Sequence, residues 1–378
     1  MTNVVITGYA RSPFTPARRG ELAKVRPDEI AAQVVAALVA KTGVRVEDIE
    51  DLILGCAFPE GEQGLNMARM VGFLADLPQS VAGTTVNRFC GSSMQSVHMA
   101  AGAIQMGAGE AFICAGVESM TRVPMTGFNP MPHPGLFQRL PQAYVAMGMT
   151  AENLARQHDI SRDEQERLAL SSQAKAAAAQ GDGRLTEEII AITDGNDCIE
   201  VDGCPRPDTT AEDLAGLDPS FDKDGTVTAG TSSPLTDGAA AVLVTSEDYA
   251  DANGLDKLAR IKAIAVAGCA PEIMGIGPVP ATAKALERAG LAIEDVDIVE
   301  LNEAFAAQAL ACLRETGIDE GRINLDGGAI ALGHPLGATG ARITGKAAAL
   351  LRREGKSLAL ATQCIGGGQG IATILEAC

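Results

Sequence analysis

Apolar residues recur along this 378-residue chain with two different periods. VVITGYA near the N-terminus, AFICAGVES from Ala111 and LALATQCIG from Leu358 are nearly continuous apolar runs, which predicts strands buried on both faces and covered by helices. Residues 91 to 107 put Met94, Val97, Ala101 and Ile104 on one face and predict an amphipathic helix. Residues 338 to 353 predict a second, Ala-rich helix that closes on Arg352 and Arg353, as a helix C-terminus prefers. Cys90 stands where the β-type run Val81 to Asn87 gives way to the first of these helices.

One unit occurs twice. KTGVRVEDIEDLILG from Lys41 and ERAGLAIEDVDIVELN from Glu287 each end a helix, cross a Gly, pass a Glu-Asp pair and enter an apolar strand. The offset from Glu47 to Glu294 is about 247 residues and that from Cys90 to His334 about 244, so a Cys and a His occupy near-equivalent places in two copies. Each copy reads strand, helix, strand, helix, strand. Residues 119 to 225 differ: a Pro-rich stretch (Pro124 to Pro141), a polar helix pattern from Thr150 to Gln180, and the turn-rich DGCPRPDTT. We read them as an insertion over the active-site edge. It supplies Arg122, Arg139, Arg156, Arg162, Arg167, Lys175, Arg184, Arg206 and Lys223.

The length predicts two domains or a fused pair, and 46% apolar residues with a mean hydropathy of +0.11 describe a globular chain. A net charge of −18 argues against nucleic acid, although a local cluster of cations can still receive an anionic ligand. Nine Cys without a CxxC pair favour free thiols in a reducing compartment over disulfides or a metal site. The N-terminus reads as a strand rather than a targeting segment, and no run reaches membrane-span length, so a cytoplasmic protein is the expectation.

The candidate chemistry lies in four motifs: VNRFCGSSMQ, NEAFAAQ from Asn302, GGAIALGHPLGATGAR and CIGGGQG from Cys364. A thiol at a helix N-terminus is favoured as thiolate, and Cys90 fits that place, with a buried structural Cys as the plain alternative. Of four histidines, His98 reads as a packing or surface residue, His133 as part of the Pro-rich loop and His158 as solvated. His334, between Gly333 and Pro335, lies where an imidazole can deprotonate Cys90 and later serve an oxyanion; a turn-filling His is the alternative. Cys364 can act as acid and base, and the Gly run after it can form an anion-binding nest, or it is an inert strand-end thiol before a tight turn. Asn302 is either the cap of a helix over 303 to 316 or the holder of a water or carbonyl, and Glu303 can orient a neighbour.

Taken in order, these motifs, with GTVTAGTSSPLTDGAAA and MGIGPVPAT, make the chain resemble thiolases over nearly its whole length. The resemblance implies an α/β thiolase fold: two similar βαβαβαββ halves in a five-layered α/β/α/β/α arrangement with an inserted loop domain. It implies an N-terminal domain over 1–248, with a CoA-binding insertion at 119–225, and a C-terminal domain over 249–378. It implies Cys90 as acyl-accepting nucleophile; His334 as its activator and, with a water on Asn302, the first oxyanion hole; and Cys364 as general acid and base. The N–H groups of Cys90 and Gly366 would form the second oxyanion hole, and Ser233, Met147 and Met274 would line the substrate and CoA pocket. No metal and no cofactor are implied, since coenzyme A is a substrate. The implied partners are acyl-CoA, CoA, a homodimer or homotetramer, and a hydratase/dehydrogenase subunit.

Two departures colour this expectation. Ala146, Met147 and Gly148 stand where short-chain biosynthetic thiolases have His-Met-Gly, which leaves room for longer chains and favours the degradative type, the β-subunit of the bacterial fatty-acid oxidation complex. Asp218 stands where the family commonly has Arg, and a carboxylate there would repel a CoA phosphate. The alternatives are an acetoacetyl-CoA thiolase, a decarboxylating ketoacyl synthase on a related fold, and a non-catalytic binding subunit.

Overall fold

The structure, a computed structural model, describes residues 2–378. The first half runs β1 (Val4–Arg11), β2 (Thr15–Pro16), α1 (Pro27–Thr42), β3 (Ile49–Gly55), α2 (Met67–Leu74), β4 (Ala82–Val86), α3 (Ser92–Gln105) and β5 (Ala111–Ser119). An excursion follows with α4 (Pro134–Arg139), α5 (Met147–Gln157), α6 (Arg162–Gly181), β6 (Ile192–Asp194), β7 (Asp197–Ile199) and α7 (Ala211–Ala215). The chain then returns through β8 (Thr236–Ser246) and α8 (Glu247–Asn253). The second half runs β9 (Ala259–Gly268), α9 (Pro278–Ala289), β10 (Ile298–Leu301), α10 (Ala306–Thr316), α11 (Ala329–Leu332), α12 (Leu336–Glu354), β11 (Leu358–Ile365) and β12 (Gln369–Glu376).

The main strand order is β10-β11-β12-β9-β1-β8-β5-β3-β4, with β2 on β8. Among the described residues the strands of the two halves pair only where Val5 faces Arg260 and Ile6 faces Ala259, so the sheet is two sheets joined at a narrow seam. Between them lie α3 and α12: Met94 and Val97 of one, with Ile343 and Ala347 of the other, share a core with Val242 on one side and Ile371 on the other. Helices α1 and α2 cover the outer face of the first sheet, and α9 and α10 that of the second. Five layers result, α/β/α/β/α. Strands β1, β5 and β8 are buried at every position, which is why they read as continuous apolar runs.

The repeat is visible in detail. Helix α1 ends on Gly43 at φ 69° and α9 on Gly290 at φ 67°, each followed by a short 3₁₀ turn and then β3 or β10. Both glycines occupy the left-handed C′ position, which other residues adopt only at a cost. The repeat therefore places α3 and α12, and with them Cys90 and His334, in equivalent positions.

Three expectations change. The polar helix pattern from Thr150 is two helices, broken at Asp159 (φ 49°) and restarted by a capping box of Ser161 with Glu164. The helix after Asn302 begins only at Ala306 with Phe305 at its cap, so Asn302 caps nothing. His158 is half-buried, its Nε2 without a partner and its Nδ1 3.5 Å from Glu315, and is not the solvated residue its polar surroundings suggested.

Candidate active site

Cys90 closes a sharp turn from β4 into α3. Phe89 adopts φ 43°, a left-handed conformation that bulky residues avoid, and the neighbouring side chains hold it there. Asn87 Oδ1 accepts the Phe89 N–H at 2.8 Å, Ser92 Oγ accepts the Arg88 N–H at 2.9 Å, and Ser92 donates to the Phe89 carbonyl at 2.6 Å. A Cβ on Gly91 would stand 2.5 Å from the Ile365 side chain of β11, so Ile365 would have to shift to admit any larger residue here. Gln363 of β11 also donates to the Cys90 carbonyl.

The Cys90 sulfur faces the N–H groups of Gly366 and of Cys90 itself. Burial nevertheless pushes its pKa up to about 11, those two N–H groups pulling the other way and the Glu118 carboxylate adding to the rise. The expected standing thiolate is thus not what the site holds. The side chain is buried under the opposite half, and loss of hydration outweighs the helix terminus.

His334 follows α11 and precedes α12. Its N–H donates to Thr236 Oγ1 at 3.0 Å, Nδ1 lies 2.6 Å from Thr339 Oγ1, and Nε2 lies 3.4 Å from Asn302 Nδ2. Gly333 turns at φ 99°, and a Cβ there would stand 2.7 Å from Thr236. Burial, helped by the Arg342 charge, pulls the imidazole down to about 3, so the ring is neutral and able to accept a proton. Asn302 is fully buried, its N–H donates to the Thr362 carbonyl at 3.0 Å, and its Oδ1 has no protein partner. A buried amide oxygen without a donor suits a water or a substrate hydroxyl.

Cys364 lies two residues beyond Thr362 in β11, opposite Gly370, and is fully buried. Burial drives its pKa well up, and the nearby Cys90, Cys312 and Cys269 add to the effect, so it too rests as a thiol. Cys90 packs with Leu336, two residues past His334. Cys90, Cys364 and Gly366 are thus neighbours, Asn302 and His334 are neighbours, and Leu336, at the start of α12, connects the two groups through its cluster with Cys90.

The remaining expected residues are spread more widely. A Cβ on Gly366 would touch Met147 Sδ at 3.5 Å and the Phe89 ring at 3.6 Å, which puts Met147 across the site from Cys90. Ser233 is half-buried and donates its N–H to the Ala304 carbonyl, beside Asn302. Met274 is 2% exposed and belongs to the apolar core that includes Cys364. Glu303 is a strut: it accepts from Ser172 Oγ at 2.6 Å and Asn324 Nδ2 at 2.7 Å and binds α6 to the loop before α11. His98 is buried against Thr373, and His133 caps α4.

Six of the nine cations of the excursion are already engaged. Arg122 pairs with Glu62, Arg156 with Asp222, Arg162 with Glu166, Arg167 with Glu320 and Arg184 with Asp326, while Lys175 donates to the Ile323 carbonyl. Arg139, Arg206 and Lys223 have no side-chain hydrogen bond or ion pair among the described residues, and Asp218 is exposed. A cavity of about 810 Å³ lined by Lys41, Arg184, Lys346 and Arg353 lies at the junction of the halves and touches none of the site residues.

Glu118 escaped the sequence reading. Fully buried at the end of β5, it accepts the N–H groups of Ala57 at 2.8 Å, Phe58 at 3.2 Å and Gly337 at 2.9 Å, and the Gln63 amide at 2.8 Å. It thereby fastens the first turn of α12, and so His334, to the half that carries Cys90. The available signal was a single acid within an otherwise apolar strand run, AFICAGVES.

Comparison with known proteins shows the family and the fold. Two family models match, the thiolase N-terminal domain over residues 4–248 and the thiolase C-terminal domain over 255–377. The 3-ketoacyl-CoA thiolases of Bacillus subtilis (strain 168) and Vibrio cholerae serotype O1 are 45% and 48% identical, each covering 100% of both chains. Among solved structures, the Bacillus anthracis acetyl-CoA acetyltransferase aligns with TM-score 0.92 at 40% identity, over 100% of this chain and 99% of that one. Human mitochondrial 3-ketoacyl-CoA thiolase in complex with CoA aligns with TM-score 0.91 at 39% identity, over 100% and 98%.

Proposed function

This chain belongs to the thiolase family, and on that premise we propose that it is a 3-ketoacyl-CoA thiolase, which cleaves 3-ketoacyl-CoA with free CoA to acetyl-CoA and a shortened acyl-CoA. The observation that carries the reading is the convergence on one sulfur: Cys90 faces the Gly366 N–H, lies beside Cys364, and packs at the start of the helix that follows His334.

His334 Nε2 takes the thiol proton as Cys90 Sγ attacks the 3-keto carbon. The Cα–Cβ bond breaks, its electron pair passes to the acetyl-CoA fragment, and the enolate oxygen is held by the new Nε2–H and a water on Asn302. Cys364, a thiol at rest because it is buried, then protonates the α-carbon. Its thiolate next removes the proton of free CoA, whose sulfur attacks the acyl group on Cys90. The oxyanion of that step lies against the N–H groups of Cys90 and Gly366, and collapse returns the proton from His334 to Cys90. Protons and charges balance with CoA as substrate and no further cofactor.

The same reading assigns residues 1–248 and 249–378 to the two thiolase domains and 119–225 to CoA binding, with Ser233, Met147 and Met274 near the pantetheine and acyl group. It extends to a cytoplasmic enzyme, whose free thiols suit a reducing compartment. Exposed Leu65, Phe73 and Leu74, near the edge strand β4, support a homodimer or homotetramer. Exposed Met131 and Phe137 offer a surface for a hydratase/dehydrogenase subunit.

Mixing the protein with acetyl-CoA should place one acetyl group on the peptide that contains Cys90, and Cys90→Ala should abolish it; acetyl on another cysteine would refute the assignment. Turnover should extend across 3-ketoacyl-CoA chain lengths. Activity confined to the four-carbon substrate would make the chain an acetoacetyl-CoA thiolase, a reading that the names of the full-length relatives do not favour.

A further inference from the structure

The His334 ring is held on its far edge by a hydroxyl, not a carboxylate. Thr339 Oγ1 lies 2.6 Å from Nδ1 and 3.0 Å from the carbonyl of Pro335, the N-cap one turn back at the start of α12. The Thr339 hydroxyl donates its one proton to the Pro335 carbonyl, which also takes the Ala338 and Thr339 N–H groups; this is the back-bond typical of helical Thr. In that arrangement Oγ1 presents a lone pair to Nδ1, and the matching ring form carries its proton on Nδ1. On the other edge Nε2 lies 3.4 Å from Asn302 Nδ2, an amide donor from which an unprotonated Nε2 would accept.

We propose that Thr339 is a positioning residue that selects the Nδ1–H tautomer of His334 and so keeps Nε2 free to receive the proton of Cys90; this rests on the roles given to Cys90 and His334 above. Because a neutral hydroxyl accepts from Nδ1, the ring has no counter-charge of its own. It is therefore protonated only while the Cys90 proton resides on Nε2, and gives that proton back when the thiol is regenerated. This is consistent with a buried ring that stays neutral at rest.

Thr339→Val keeps the branched shape but removes the acceptor, leaving Nδ1–H against a methyl group; Thr339→Ser keeps the acceptor. Two measurements decide the matter: the ¹⁵N spectrum of the four histidines, with His334 assigned through His334→Asn, and the single-turnover rate of Cys90 acetylation by acetyl-CoA. In the native protein and the Ser variant, the proton should sit on Nδ1, with acetylation rates within about fivefold of each other. In the Val variant, the Nε2–H form should appear, and the rate should fall ~100-fold at little change in acetyl-CoA KM, less than the ~10⁴ that a wrong tautomer costs a carboxylate-held histidine. A native spectrum with the proton on Nε2 overturns the proposal, as does a Val variant that is acetylated at the native rate. The native spectrum decides even where the Val variant fails to fold. It also decides where acetyl-CoA leaves Cys90 untouched, an outcome that instead removes the function proposed above.

Discussion

Replacing Glu118 with Gln should loosen the shelf on which both reacting groups stand. Glu118 Oε1 accepts from Phe58 N at 3.2 Å and Gln63 Nε2 at 2.8 Å, and Oε2 from Ala57 N at 2.8 Å and Gly337 N at 2.9 Å. Whichever oxygen becomes NH₂, two buried donors then face a donor. Gln63 cannot simply turn its amide around, because its Oε1 already accepts the Ser119 N–H at 2.6 Å. Two orphaned donors at about 1–3 kcal/mol each give a gross loss of about 2–6 kcal/mol. Part of this is offset because the variant no longer buries a charge, a cost visible in the upward push of burial on the Glu118 pKa. A net loss of about 2–4 kcal/mol remains. It should appear as a lower urea midpoint at unchanged slope, with protein concentration held fixed. Since Gly337 opens the helix that follows His334, Cys90 acetylation should slow in step. A variant within about 1 kcal/mol of the native protein would mean that the four bonds are not the fastening described, because that is less than one orphaned donor should cost.

Two further outcomes follow from the burial of the thiols. With Cys90 at about 11 and His334 at about 3, no thiolate–imidazolium pair exists at neutral pH, so alkylation of Cys90 by iodoacetamide should rise about tenfold per pH unit between roughly pH 7 and 10, read on the isolated peptide. A plateau reached by about pH 8 would instead reveal a standing thiolate. Cys364→Ala should lower 3-ketoacyl-CoA cleavage by ~10²–10⁴ and abolish exchange of the acetyl-CoA α-hydrogens in D₂O while Cys90 remains alkylatable; exchange at the native rate would take the acid–base role away from Cys364.

What could be read in advance was what depends on neighbours in sequence. The doubled unit was legible because Gly43 and Gly290 end equivalent helices through the same local C-cap, and the buried strands because the covering helices make every position apolar. Cys90, His334 and Cys364 were legible as motifs for a related reason: each sits at the start of a helix or the end of a strand, in a turn whose Gly residues announce close approach. The unread features depend on residues far along the chain. Arg122, Arg167 and Arg184 looked free for an anion until Glu62, Glu320 and Asp326 were brought beside them by the fold. Asn302 looked like a cap because a helix pattern surrounds it, yet its backbone bonds to Thr362 of the next strand and the helix waits until Ala306.

The charge state of the nucleophile is the sharpest case. A helix N-terminus is a local feature and argues for a thiolate, whereas burial comes from the opposite half, where Ile365 reaches Gly91 and Gly366 meets the sulfur. The structure lets burial prevail, and the consequence is chemical: the two thiols and the imidazole themselves are neutral and carry no charge of their own to meet an anionic CoA substrate. On the mechanism proposed above, charge develops only during the reaction, when the proton of Cys90 moves to His334 and an enolate forms beside it. The same proposal gives the enolate to His334 and Asn302 and the oxyanion of acyl transfer to the N–H groups of Cys90 and Gly366, which already face the sulfur and need no reorganisation when that charge appears.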